Sequence, residues 1–281
     1  MKRQISASVT IPVLSVIALL AFPPVSRGQT PPPIGGGYTD VIAIPVNDPA
    51  TKAIGGALFK PAGTGPFPAV VYITGCGGID APLLRAVQKT AIDHLLAKGV
   101  AILIVDSFTP RGEPGGVCVI AGPVDEEKAN QYARRGGNDA LAAVAVLKTM
   151  PEIDAKHIFL AGFSLGSYSS LLATDSKNPA SHDRAVAGVI AYYPFCYDGV
   201  DPSVPVLVLI GDKDDWTPAA KCQAVTGKTN FEVVVYPGAT HVFNQPSEKP
   251  RDLLGHHVVY DENATRDAQQ RADAFIAAQM K

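Results

Sequence analysis

Short apolar runs alternate along the chain with longer segments in which apolar and polar residues recur at helical spacing. The runs are rich in Val, Ile and Ala and are bounded by Gly, Pro, Asn or Asp, which is typical of buried strands. They predict strands over residues 67–73, 100–105, 157–163, 186–192, 204–210 and 231–236. The mixed segments predict helices over residues 83–98 and 124–149, from residue 164 onward, and over residues 262–280.

Two further strand-like runs, residues 38–46 and 52–60, precede this alternation and are separated by the turn signal Asn47-Asp48-Pro49. We expect them to form an antiparallel pair. From residue 67 onward strands alternate with helices, which predicts an α/β fold with a mainly parallel sheet, about eight strands in all and helices on both faces. In the second helix we expect an interruption at Gly136-Gly137, with Asn138 or Asp139 capping the later piece.

The N-terminal segment differs from the rest of the chain. Lys2 and Arg3 precede an apolar run over residues 11–22, and the stretch Ser26-Arg27-Gly28 follows it. This order predicts a secretory signal over residues 1–28, with an uncleaved N-terminal anchor as the alternative. Residues 29–37 predict a flexible Pro- and Gly-rich leader with no core to bury, and residues 38–281 a single α/β domain. We therefore expect export to the periplasm or the extracellular space.

Composition narrows the range of partners. The chain is 47% hydrophobic and 18% charged, with a formal net charge of -2, which is ordinary for a globular protein. No basic surface for nucleic acid or for an anionic membrane is predicted from these values. The expected partner is a small molecule, with no nucleic acid and, after signal cleavage, no membrane.

Candidate chemistry is concentrated at Gly162-Phe163-Ser164-Leu165-Gly166, a G-x-S-x-G pattern between a predicted strand and a predicted helix. A serine on such a tight turn adopts a strained backbone, and glycine two residues before and after it relieves the crowding. The free N–H groups at the start of the helix point toward the same place. The pattern predicts Ser164 as a nucleophile, and the alternative is a plain strand-to-helix turn.

A serine nucleophile needs a base that takes its proton and a carboxylate that orients the base. In the α/β-hydrolase fold, which uses this serine turn, the order along the chain is serine, acid, histidine. His241 follows Ser164 and lies directly beyond a predicted strand, so it is the predicted base. Asp214 follows the strand over residues 204–210 and is the predicted acid, with Asp212 and Asp215 as alternatives.

Acyl transfer also requires two N–H donors for the oxygen that becomes negatively charged. In the α/β-hydrolase fold one donor directly follows the serine, and the other lies in the loop after the strand that ends at Ile73. These positions are the backbone amides of Leu165 and Cys76. The glycine-rich run around Cys76 is not a predicted phosphate loop, because no Lys-Ser/Thr pair follows it.

Several segments then occur in a fixed order along the chain: TGCGG at 74–78, DSFTPRG at 106–112, GFSLG at 162–166, YYPFC at 192–196, GDKDDWTP at 211–218 and THVF at 240–243. Together they resemble the dienelactone hydrolase family of α/β-hydrolases. The resemblance implies hydrolysis of an ester or lactone with Ser164 as nucleophile, Asp214 as orienting acid and His241 as base. It implies no cofactor. The founding enzymes of this family have a cysteine where this chain has Ser164.

The resemblance also implies a pairing for the four cysteines. In that fold the strands ending at Ile73 and Val105 are neighbours, as are the strands over 186–192 and 204–210. We therefore expect disulfides Cys76–Cys118 and Cys196–Cys222, each stabilising the fold by roughly 2–4 kcal/mol. Free buried thiols are the alternative. A zinc site is not predicted, because no C-x-x-C or H-E-x-x-H spacing occurs.

Four further residues are candidates for substrate contacts. Arg111 could hold a substrate carboxylate through two parallel hydrogen bonds, and the alternative is a structural salt bridge. Tyr192, Tyr193 and Trp216 lie at strand ends and could wall a pocket, or they could pack beneath the loops.

The sequence thus predicts a secreted serine hydrolase that cleaves an ester or lactone through an acyl-enzyme, with no cofactor or metal. A small serine peptidase or amidase on the same fold is the first alternative. A secreted binding protein that has kept the scaffold without turnover is the second.

Overall fold

The computed structural model describes residues 31–32, 34–80, 82–118, 126–182, 186–225 and 227–281. The predicted signal segment, residues 1–28, lies outside the described residues. Of the predicted leader, residues 31–32 and 34–37 are described.

An eight-stranded sheet with the strand order β1-β2-β4-β3-β5-β6-β7-β8 forms the centre of the fold. Its strands are β1 Val41–Pro45, β2 Ala53–Phe59, β3 Phe67–Ile73, β4 Ala101–Asp106, β5 Ile153–Phe163, β6 Gly188–Tyr192, β7 Val206–Gly211 and β8 Phe231–Tyr236. β1 pairs with β2, and β2 with β4, in antiparallel register, whereas the pairs from β4 to β8 are parallel. The predicted α/β sheet with an antiparallel N-terminal pair is confirmed.

Helices cover both faces of this sheet. They are α1 Pro82–Ala97, α2 Glu126–Leu147, α3 Leu165–Thr174, α4 Pro179–His182, α5 Ala219–Gln223 and α6 Glu262–Gln279. α2 packs against α3, and α1 is joined to α6 by the contact between His94 Nε2 and Asp273 Oδ1, which are 2.8 Å apart. Every residue of β4, β6 and β7 is buried, which requires cover on both faces. Among the described residues, no helix is long and apolar enough to cross a membrane.

The helix α2 runs without a break through Gly136-Gly137, so the predicted interruption there is wrong. A Cβ at Gly136 would lie 2.6 Å from the Ser169 hydroxyl oxygen, and one at Gly137 would lie 2.8 Å from the Ser169 carbonyl oxygen. The two glycines therefore allow α2 to approach α3 closely, and this packing outweighs the low helix propensity of glycine.

The described part of the leader is held against the core, which differs from the prediction of a segment with nothing to bury. Ile34 is half-buried and packs against the hydrophobic core. The Gly35 N–H donates to the buried carboxylate of Asp106 at the end of β4, over 2.8 Å. The same carboxylate accepts N–H bonds from Phe108 and Thr109, so Gly35 completes the set of donors that its burial requires.

Both predicted disulfides are present. Cys76 pairs with Cys118 and Cys196 with Cys222, with Cα atoms 5.1 Å and 5.0 Å apart. The neighbouring positions of β3 and β4, and of β6 and β7, bring the cysteines together as expected. Two disulfides in one chain are consistent with export to an oxidising compartment.

A short hairpin, which the sequence did not predict, precedes α6. It consists of β9 Arg251–Leu253 and β10 His256–Val258. The two residues between the strands, Leu254 and Gly255, both have positive φ, of 53° and 89°. This two-residue connection normally carries Asn or Asp before the glycine, so leucine at that position conceals the turn.

Candidate active site

The carboxyl ends of β3, β5, β6, β7 and β8 meet at one edge of the sheet because these strands are parallel. Ser164 lies at this edge, in the turn between β5 and α3, with φ at 53°. A Cβ at Gly162 would lie 2.4 Å from the Gly166 carbonyl oxygen, and one at Gly166 would lie 2.3 Å from that of Ile73. Glycine is therefore required on both sides of the serine, as the sequence pattern indicates.

This serine turn is anchored to the neighbouring strand β6. The Ser164 N–H donates to the Tyr192 carbonyl oxygen over 3.0 Å. The Ser167 hydroxyl donates to the same oxygen over 2.8 Å. Two donors on one buried acceptor hold the strained turn in place, so the position of the Ser164 side chain is set by the sheet itself.

His241 lies in the turn after β8 and is 1% exposed. Its Nε2 is 2.9 Å from the Ser164 hydroxyl oxygen, and its Nδ1 is 2.7 Å from Asp214 Oδ2. The ring of Tyr193 packs edge-on against the imidazole, with centroids 4.7 Å apart. In this arrangement Nδ1–H donates to the carboxylate, which leaves Nε2 free to accept the proton of Ser164.

Asp214 is held by donors from the turn that follows it. Its Oδ1 accepts from the N–H groups of Trp216 and Thr217, over 3.0 Å and 2.7 Å. The Thr217 hydroxyl oxygen lies 2.9 Å from Oδ2, and the carboxylate side chain is 0% exposed. Both carboxylate oxygens are therefore satisfied, and the group is fixed beside His241.

The two alternative acids have other partners. Asp212 accepts from the Gly238 N–H at the protein surface, over 2.6 Å. Asp215 pairs with His256, whose Nδ1 lies 3.1 Å from Asp215 Oδ1. The structure places Asp214, rather than either neighbour, in contact with His241.

Leu165 directly follows Ser164, and Cys76 lines the same pocket as Ser164. Leu165 is the first residue of α3, where an N–H has no partner within the helix. Cys76 follows Gly75, at which a Cβ would lie 3.5 Å from the Ser164 Cβ. Neither N–H has an acceptor among the described residues. The Cys76 carbonyl accepts from the Val117 N–H over 2.7 Å, and this bond and the disulfide to Cys118 fix the loop.

A pocket of about 750 Å³ opens beside Ser164, which we call the Ser164 pocket. Its apolar and aromatic lining consists of Val117, Ala129, Leu165, Tyr168, Phe195, Trp216 and Leu254. Its polar lining includes Ser164, Thr217, Glu126 and His256, together with the Cys76–Cys118 disulfide. Within the described ranges, no group of three or more His, Cys, Asp or Glu side chains is arranged to hold a metal ion.

Of the three aromatic residues predicted at strand ends, only Trp216 lines the Ser164 pocket. Tyr192 is buried and stacks on Phe163, with ring centroids 4.7 Å apart. Tyr193 is buried against His241, and its hydroxyl donates to Asn244 over 2.8 Å. Burial raises the pKa of both tyrosines, so they remain neutral. They pack beneath the loops, which was the alternative for these two positions.

Arg111 does not line the Ser164 pocket. Its guanidinium donates two parallel hydrogen bonds to Asp139, of 2.8 Å and 2.9 Å, and a third to Asp48 over 3.0 Å. Burial lowers the pKa of Arg111, but the hydrogen bonds and charges of Asp139 and Asp48 together outweigh burial and raise it, so the charge is kept. With both carboxylates bound to a side chain that is 3% exposed, the structure favours the salt-bridge alternative over substrate binding.

Tyr168, Phe195, Leu254 and His256 are among the residues lining the Ser164 pocket that the sequence did not identify. Tyr168 lies four residues after Ser164 on α3, so helical spacing would have placed it on the same face as the serine. Phe195 immediately precedes Cys196, and its place in a loop after β6 was a weaker signal. Leu254 and His256 depend on the β9–β10 hairpin, whose position no local pattern reveals.

The mainly parallel eight-stranded sheet, with its serine turn after β5, defines an α/β-hydrolase. A comparison with family models matches residues 54–280 to the dienelactone hydrolase family. The chain therefore belongs to the dienelactone hydrolase family, and it is a hydrolase.

Similar solved structures agree with this fold. One is a dienelactone hydrolase-like promiscuous phosphotriesterase from metagenomic libraries, at 19% identity and TM-score 0.66, covering 85% of this chain and 98% of that one. Another is a propionate-bound esterase from Thermogutta terrifontis, at 16% identity and TM-score 0.58, covering 85% and 94%. Porphyromonas gingivalis dipeptidyl peptidase 4 matches at 15% identity and TM-score 0.56, covering 85% and 35%. A comparison with curated protein sequences finds no match.

Proposed function

We propose that this protein is an exported serine hydrolase that cleaves an ester or a lactone through an acyl-enzyme intermediate. The observation that carries the proposal is the hydrogen-bonded chain from Ser164 through His241 to Asp214, with steps of 2.9 Å and 2.7 Å. These three hydrogen-bonded side chains lie beside a largely apolar pocket that could hold the substrate.

Acylation begins when His241 Nε2 takes the proton of the Ser164 hydroxyl as its oxygen attacks the substrate carbonyl. A C–O bond forms, and the carbonyl electron pair moves onto its oxygen. The Asp214 carboxylate stabilises the imidazolium that results. When the tetrahedral intermediate collapses, the bond to the alcohol oxygen breaks and the alcohol leaves with the proton from Nε2.

Deacylation repeats these steps with water in place of the alcohol. His241 takes a proton from the water as its oxygen adds to the acyl carbon. Collapse of the second intermediate breaks the bond to Ser164, releases the acid and returns the proton to the serine. Because the same nitrogen acts as base and then as acid in each half, no other titrating group is needed.

The N–H groups of Leu165 and Cys76 supply the two donors for the oxyanion in both halves. Removing one such donor typically lowers kcat by about 10²- to 10³-fold. The N-terminal end of α3 adds its positive dipole at the same place. The Cys76–Cys118 disulfide then serves the reaction indirectly, because it fixes the loop that carries one donor.

The proposal is tested by stopped-flow kinetics with p-nitrophenyl acetate. An acyl-enzyme whose hydrolysis is slower than its formation gives a burst of p-nitrophenol equal to the enzyme concentration. Ser164→Ala should show neither burst nor turnover. If Ser164→Ala hydrolysed the ester at the wild-type rate, the assignment of Ser164 as the nucleophile would be contradicted.

Ser164, His241 and Asp214 could also attack an amide, so a peptidase or amidase is the alternative function. Amide substrates are therefore measured in parallel with the ester. Turnover of peptide p-nitroanilides with a kcat/KM above that for the ester would favour the alternative. A folded wild-type protein that binds esters without any product would favour the non-catalytic binding protein.

Export is part of the proposal. It is supported by the basic, apolar and small-residue order of the N-terminal segment and by the use of all four cysteines in disulfides. N-terminal sequencing of the protein recovered from outside the cytoplasm should find a chain that starts near residue 29. Recovery of the uncleaved chain in the membrane fraction would favour the anchor.

A further inference from the structure

Three aromatic rings form part of the Ser164 pocket. Tyr168 and Phe195 pack edge to face, with centroids 5.2 Å apart, and Trp216 packs against His241 at 4.9 Å. The Tyr168 hydroxyl donates to Asn130 over 3.2 Å, and burial raises the pKa of Tyr168, so the ring stays neutral. These walls offer apolar contacts and no positive charge.

The hairpin residue Leu254 extends the same apolar lining to the protein surface. It is 48% exposed, which sets it apart from the core leucines, and it lies beside the pocket opening. When a bound apolar group covers an exposed leucine at the rim of a pocket, apolar surface is removed from water and binding is stabilised.

Charges around the Ser164 pocket are unfavourable for an anion. No Lys or Arg lines it among the described residues, and its lining carboxylate is Glu126. The imidazole of His256 already faces the Asp215 carboxylate at 3.1 Å. The residues numbered 119–125, between Cys118 and Glu126, contain no Lys, Arg or His.

None of the three basic residues of α2, Lys128, Arg134 and Arg135, lines the Ser164 pocket. Arg135 pairs with Glu113 and lies over the Phe108 ring. Arg134 and Lys177 line a different cavity, between α2 and α3. A carboxylate that enters the Ser164 pocket would therefore lose its hydration without gaining a cation, and it would approach Glu126.

We infer that the substrate is an ester whose acyl and alcohol parts are apolar and carry no anionic group. This inference rests on the proposed function and specifies the substrate class of the same site. A protein with this preference does not use an arginine to bind a carboxylate of its substrate. The candidate for that role, Arg111, is already bound by Asp48 and Asp139.

Two matched ester pairs test the inference. In the first, the charge is on the alcohol side: 4-acetoxyphenylacetamide is compared with 4-acetoxyphenylacetate. In the second it is on the acyl side: 4-nitrophenyl 4-carbamoylbenzoate is compared with mono-(4-nitrophenyl) terephthalate. Each pair differs by an amide in place of a carboxylate. We expect kcat/KM to favour the neutral member of both pairs by at least about tenfold, because the buried carboxylate lacks a partner.

Glu126→Gln should lower the ratio of kcat/KM for the neutral ester to kcat/KM for the anionic ester by about threefold. The effect is limited because Glu126 is exposed and its charge is screened. Glu127→Gln is the matched control: it removes the same charge from the next residue, which does not line the pocket, and should leave the ratio unchanged. Equal or faster turnover of the anionic esters in both pairs would overturn the inference while leaving the proposed function intact. Absence of turnover for all four esters would overturn the proposed function, and the inference with it.

Discussion

Two aspartate–histidine pairs lie side by side in this protein and differ sharply in their surroundings. Asp214 and His241 are 2.7 Å apart, with side chains 0% and 2% exposed. Asp215 and His256 are 3.1 Å apart, with side chains 58% and 28% exposed. The ring of Trp216 contacts both imidazoles, at 4.9 Å and 4.4 Å between centroids. We call Asp214 and His241 the inner pair, and Asp215 and His256 the outer pair.

The comparison shows that two carboxylate–imidazole pairs of similar length can differ in burial and in what the imidazole contacts. In the inner pair, His241 Nε2 reaches a serine hydroxyl, and backbone N–H groups hold the carboxylate. In the outer pair, both side chains are partly exposed to solvent, and the imidazole stacks on Trp216 as part of a pocket wall. Burial and contact with the Ser164 hydroxyl, rather than the pair itself, distinguish the inner pair from the outer pair.

Replacing each histidine should give the largest contrast. His241→Ala removes the proposed base and should lower kcat by about 10⁴-fold or more. His256→Ala removes a ring stacked on Trp216 and should raise KM by roughly two- to tenfold, with a much smaller change in kcat. Steady-state kinetics on one neutral aryl ester measures both. Comparable losses of kcat in the two variants would break the distinction between the pairs.

The adjacent aspartates give the next contrast. Asp214→Asn should lower kcat by about 10⁴-fold, because the amide no longer stabilises the imidazolium and favours the wrong tautomer of His241. Asp215→Asn should lower it by less than about threefold, as expected for an exposed pair. Circular dichroism serves as the folding control. If Asp215→Asn were the more damaging change, Asp215 would be the orienting acid instead.

A smaller effect is expected from Thr217, whose hydroxyl lies 2.9 Å from Asp214 Oδ2 and has no counterpart in the outer pair. Thr217→Val removes a hydrogen bond to a buried charged group and should lower kcat by about tenfold. Thr217→Ser keeps the hydroxyl and should restore most of the activity. A Thr217→Ser enzyme as slow as Thr217→Val would show that the methyl group, not the hydroxyl, matters.

The smallest effect concerns stability. Breaking the outer pair with Asp215→Asn should change the free energy of unfolding by less than about 1 kcal/mol, since both side chains are partly exposed. Urea denaturation followed by fluorescence measures this change. A loss well above that value would mean that the outer pair anchors the β9–β10 hairpin to the rest of the fold.

The sheet and the meeting of Ser164, Asp214 and His241 could be predicted because they depend on local patterns and chain order. Apolar runs mark the strands, and the residues just after parallel strands share one edge. The sequence favoured Asp214 but left Asp212 and Asp215 open as the acid. The N–H groups of Trp216 and Thr217 donate to Asp214 and hold it beside His241. Which of the three carboxylates accepts these hydrogen bonds is set by the geometry of the turn.

Other features could not be predicted because they depend on contacts between distant segments. α2 continues through Gly136 because α3 packs closely against it there, although glycine alone favours a break. The pocket wall at Leu254 and His256 depends on a hairpin whose strands have three residues each. Tyr192 is the last residue of β6, and Trp216 lies in the loop after β7. Tyr192 is buried in the core, whereas Trp216 lines the pocket.

If the inner pair activates Ser164, a fluorophosphonate should label that serine. Intact-mass analysis of the treated protein, beside Ser164→Ala and His241→Ala, measures this labelling. We expect a single adduct on the wild type, none on Ser164→Ala and strongly slowed labelling of His241→Ala. A folded wild-type protein that gains no adduct, or a Ser164→Ala variant that is labelled equally fast, would contradict activation of Ser164 by the inner pair.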